Sequence, residues 1–103
     1  MASGILGQSN PTALTNTTVY TVPSARTATF TVNVCNTSGY GAVVSVAVAA
    51  SGTPSTSEYI LYNVTVPAYG AIEKSGIVAQ AAKNVVVNTT SSAIAVSAYG
   101  FEE

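Results

Sequence analysis

Apolar and polar residues alternate along most of the chain after residue 16, and turn-forming residues break the alternation at short intervals. Residues 28–35 are the clearest run: Phe30, Val32 and Val34 fall on one face of an extended strand, with Thr29, Thr31 and Asn33 on the other. The NTSG segment at 36–39 closes that run as a turn. The next run sets Val44, Val46 and Val48 opposite Val43, Ser45 and Ala47. Residues 17–22 alternate and stop at Pro23, which cannot donate to a β-ladder. Residues 51–57 (SGTPSTS) form a loop, 58–66 predict one long strand or two short ones, and residues 67–70 (PAYG) end them. A strand is expected over 71–77. Residues 78–82 have helical propensity over only about one turn, which predicts a turn or a 3₁₀ piece. Finally, 84–88 and 93–99 flank Thr89-Thr-Ser-Ser92, a hairpin pattern.

About seven short strands at roughly 8–12-residue spacing, with no real helix, predict an all-β chain. The expected architecture is a single small antiparallel β-sandwich over residues 17–103, with Greek-key or jelly-roll-like connections. Residues 1–16 lack periodicity and hold Gly, Ser, Asn and Pro11, so they read as an extended N-terminal arm. Ile5, Leu6 and Leu14 are the arm's large apolar residues, and they are its candidates for docking on the body or on a partner.

Composition narrows the chemistry. Of 103 residues, 7% are charged and 48% are hydrophobic, where an ordinary globular chain carries about 25% charge. Three cations (Arg26, Lys74, Lys83) cannot build the basic stripe that nucleic-acid binding needs. No apolar run reaches the roughly 20 residues of a membrane-spanning helix, so neither nucleic acid nor membrane is an expected partner. MASGILGQSN has no positive n-region and no long apolar h-region, so no secretory signal is expected. The single Cys35 excludes an intramolecular disulfide and reads as a small, partly buried strand-end residue. The sequons at Asn16, Asn36, Asn63 and Asn88 are what a Thr- and Ser-rich chain produces by chance.

Catalysis has little to work with. His and Asp are absent, which removes the commonest general base and most triad members. Glu58 and Glu73 are the only internal carboxylates, each at the junction of a strand and a turn, and they read as solvated edge residues. No catalytic, metal or cofactor site is assigned, and an enzyme is not expected. Binding remains. Among six tyrosines, Tyr40 and Tyr69 stand beside turn glycines and are the best candidates for exposed aromatic contacts; Tyr59 and Tyr62, three positions apart, are expected on opposite faces of a strand. A surface of Thr, Ser, Asn, Ala and Val with few charges would be prone to edge-to-edge pairing unless covered, which favours a homo-oligomer, a trimer among the options.

Several stretches in order carry a resemblance. TTVYTVP at 17–23 leads into ATFTVNVCN at 28–36, followed by EYI at 58–60, VPAYG at 66–70, EKSGI at 73–77 and YGFEE at 99–103. This order resembles small virion structural proteins of tailed phages, particularly phages of cyanobacteria and other aquatic bacteria, over about residues 17–103. The resemblance implies a virion component assembled in the host cytoplasm, with the major capsid protein or a neighbouring structural subunit as partner. A capsid decoration or cement role leads; a head-fibre, tail or baseplate-associated subunit and a carbohydrate-binding adhesion module are the alternatives. The family offers no catalytic residues.

Overall fold

The computed structural model describes residues 3–103. These residues form eight strands and one 3₁₀ turn (Thr56–Glu58): β1 Ser3–Ser9, β2 Thr17–Thr21, β3 Ala28–Asn36, β4 Ala42–Ala49, β5 Tyr59–Val66, β6 Ala71–Ala79, β7 Asn84–Thr89 and β8 Ile94–Glu102. They pair into two four-stranded antiparallel sheets, ordered β1-β8-β3-β6 and β2-β7-β4-β5. Every connection except β4–β5 therefore passes from one sheet to the other.

The alternation seen in the sequence decides which residues meet between the sheets. Phe30, Val32, Val34, Ile94, Val96 and Ala98 come from the first sheet, and Val44, Val46, Val85, Val87 and Val66 from the second. All belong to one buried cluster. β-Branched Val dominates this core because its stiff side chain suits a pleated, half-buried surface.

Three expectations are corrected. The strand count is eight rather than about seven, because residues 3–9 of the expected arm lie in register along β8, with Ser3 opposite Phe101 and Ile5 opposite Tyr99. The following connection is also tied down: the Asn10 amide donates to the carbonyls of Ser92 (2.9 Å) and Ile94 (2.7 Å), and the Leu14 N–H donates to Thr89 (2.7 Å). Residues 1 and 2 of that arm lie outside the described residues. Second, β7 and β8 are not a hairpin, since β7 lies between β2 and β4, and β8 between β1 and β3. The 90–93 connection bends across the sheets because its polar groups find partners elsewhere: Thr90 N–H bonds to Val43, and Thr37 N–H to Ala93. Third, the turn expected over 78–82 is confined to Ala81 and Ala82, since Val78 and Ala79 continue β6, and the 3₁₀ piece falls at Thr56–Glu58.

The ladders differ in regularity. The central pairs β3–β8 and β4–β7 keep one register throughout, whereas each pair that includes an edge strand slips. In every case the extra residue sits on the edge strand: Leu6 on β1, Val19 on β2, one near Gly76 (φ 73°) on β6, and two on β5. Bulges kink and twist an edge so that a second chain cannot extend the ladder. They supply here what a charge-poor sequence cannot.

Candidate functional site

One row on the outer face of the second sheet is overlaid by a loop. Thr18, Val86, Ala47 and Tyr59 form one row across β2, β7, β4 and β5. Val86 and Ala47 are buried although they point away from the shared core. The segment 50–58 folds back over this row, bringing Gly52 against Thr18 and Pro54 and Thr56 against the tyrosines of β5. Glu58 clamps the segment: its carboxylate accepts from the Ser55 N–H at 2.8 Å and the Ala50 N–H at 2.9 Å. Those bonds, Ser55 first, hold the Glu58 carboxyl below its ordinary range. The residue expected as a solvated edge charge is thus a loop fastener.

Beside this loop lies a groove of about 530 Å³ lined by Pro54, Thr56, Tyr59 and Tyr62. The expectation that Tyr59 and Tyr62 face opposite ways does not hold. A bulge between them turns both Ile60 and Leu61 toward the core, and the left-handed Asn63 (φ 50°) follows directly. The extra residue restores the same side for both rings, which meet edge to face with centroids 4.9 Å apart. Neither belongs to the core; Tyr62 is 65% exposed.

The candidates named from the sequence fall in two places. Tyr40 and Tyr69 are both exposed at one end of the molecule, where the Tyr69 N–H bonds to Ser38 and its hydroxyl lies over Gly39. Buried Asn36 organises this end: its amide donates to the carbonyls of Tyr40 (2.7 Å) and Val66 (3.2 Å), and its Oδ1 accepts from the Ser38 N–H and hydroxyl. Of the three apolar residues near the N-terminus, Leu6 packs on the core, while Ile5 and Leu14 remain exposed. Leu14 does so at φ 59°, a conformation that costs a side-chain-bearing residue roughly 1–2 kcal/mol.

The outer face of the first sheet is the larger feature. Its rows run Ser3–Phe101–Thr29–Val78, Ile5–Tyr99–Thr31 and Gln8–Ser97–Asn33–Glu73, with Ala95–Cys35–Ala71 at the far end. The one charge in these rows, Glu73, accepts a 2.7 Å hydrogen bond from the Tyr99 hydroxyl, which raises the Tyr99 pKa. At the opposite end Phe101, Val78 and Ile5 are exposed together. Inside, the Tyr20 hydroxyl donates to the buried Glu102 carboxylate, and burial followed by that bond pushes the Tyr20 pKa well up. Compared with protein-family models, curated proteins and solved structures, the chain matches none.

Proposed function

We propose that this chain is a non-catalytic structural subunit of a phage virion, most simply a capsid decoration or cement subunit, homo-oligomeric and held by protein–protein contacts. The observation that carries this reading is the outer face of the first sheet: a field mainly of Thr, Ser, Asn and Ala with Glu73 as the one charge in its rows, whose end is apolar through Ile5, Phe101 and Val78. Such a face has almost no charge to desolvate and resembles the charge-depleted centre of an interface. The strand orders β1-β8-β3-β6 and β2-β7-β4-β5 read as a jelly-roll sandwich, an architecture used by viral capsid and lectin domains. Fold alone does not assign function, so the weight rests on the face. Non-catalysis is favoured because three of the four carboxylates already accept hydrogen bonds within the fold: Glu58 from backbone N–H groups, Glu73 from Tyr99 and Glu102 from Tyr20.

Light scattering across a concentration series tests the proposal. The expected result is a defined oligomer, a trimer if three faces close in a ring, that dissociates to a folded monomer in Phe101→Glu/Val78→Glu. A wild-type chain that stays monomeric at every concentration, or an oligomer indifferent to that double substitution, overturns it.

A further inference from the structure

We propose that the groove between the 50–58 loop and β5 binds a neutral sugar ring, a function separate from the subunit contacts above and not dependent on them. The groove is preformed. Its tyrosines brace each other edge to face, and its loop wall is fastened by Glu58 to the backbone at Ser55 and Ala50, so little ordering accompanies binding. Its volume, about 530 Å³, lies in the range of small-ligand sites, roughly 300–1,000 Å³.

The lining selects the ligand's chemistry. No charged side chain lines it, and the Glu58 carboxylate at the base of the loop is turned to two backbone N–H groups, so the lining itself offers an ionic ligand no direct charge partner. What the lining offers is aromatic ring surface and three hydroxyls, those of Thr56, Tyr59 and Tyr62. Tyr20 and Tyr99 commit their hydroxyls to Glu102 and Glu73. The hydroxyls of Thr56, Tyr59 and Tyr62 stand in the lining of the groove itself. A hydroxyl both donates and accepts, which matches the hydroxyls rimming a pyranose, while the apolar C–H face of the sugar lies on a tyrosine ring. A polyproline segment would also lie on paired aromatics, but it brings only carbonyl acceptors and would leave the accepting capacity of these hydroxyls unused.

The test is an amide-resolved NMR titration of the full chain with glucose, galactose, mannose and N-acetylglucosamine at millimolar concentrations, and in parallel with a proline-rich peptide. Saturable shifts from at least one sugar at Thr56, Tyr59 and Tyr62 are expected, about tenfold weaker in Tyr62→Ala, with Tyr62→Phe between the two. Because Tyr62 is mostly exposed, these variants keep the fold, which their unperturbed spectra verify. The proposal fails if no sugar saturates these amides, if Tyr62→Ala binds as well as the wild type, or if the peptide alone fills the groove.

Discussion

At the scale of single residues, the Tyr20–Glu102 contact has the clearest energetic consequence. Glu102 is buried at the end of β8, and its carboxylate takes the Tyr20 hydroxyl while the Tyr20 ring stands edge-on to Phe30, centroids 5.9 Å apart. Tyr20→Phe keeps the ring contact but strips a buried carboxylate of its donor, at a cost of roughly 1–3 kcal/mol in unfolding experiments at neutral pH. The pH dependence follows from the raised tyrosine pKa. Folded, Tyr20 holds its proton more tightly than in the unfolded chain, where it titrates near about 10. Its contribution is whole below that pH and is lost as the pH climbs toward the folded value. Chemical denaturation should show stability falling in the alkaline range for the wild type and a flatter profile for Tyr20→Phe, the remaining slope belonging to Tyr99, which shifts in the same direction.

At the scale of elements, the edge bulges explain both what the sequence revealed and what it hid. Strands β3 and β4 were legible because strict alternation, as in Phe30, Val32 and Val34, survives wherever a strand is paired on both sides. β1 was not legible. Its bulge at Leu6 interrupts the period of two, and its glycines weaken the local strand signal. The groove was hidden for the same reason: Tyr59 and Tyr62 are three positions apart, and only an inserted residue returns them to one side. Nor does local pattern announce that residues 84–88 and 93–99 pair with different sheets, since pairing is decided by distant strands. The bulges of β1 and β2 also meet at a corner, where a Cβ on Gly7 would stand 2.3 Å from the Val19 carbonyl oxygen. Backbone cannot yield as a side-chain tip can. Gly7→Ala is therefore expected to cost about 1–3 kcal/mol and to expose β1 amides in hydrogen exchange before those of β3 and β4; uniform protection in the variant would show that the corner relaxes freely.

At the scale of the whole molecule, the strand order governs when the chain can fold. Among the described residues, the only ladder partner of β1 is β8, and the only ladder partner of β2 is β7. The first two strands to leave a ribosome would thus have no neighbour until the last two follow, and loop closure over nearly the full length must precede their reward. Folding is expected to be slow and all-or-none. A fragment ending before residue 84 should show no cooperative thermal transition, although it contains six of the eight strands; a cooperative transition in that fragment would mean that β3 to β6 assemble alone. Until the last strands arrive, the valine-rich inner faces of β3 and β4 are open to solvent, and the interval of greatest aggregation risk is the time taken to synthesise the chain.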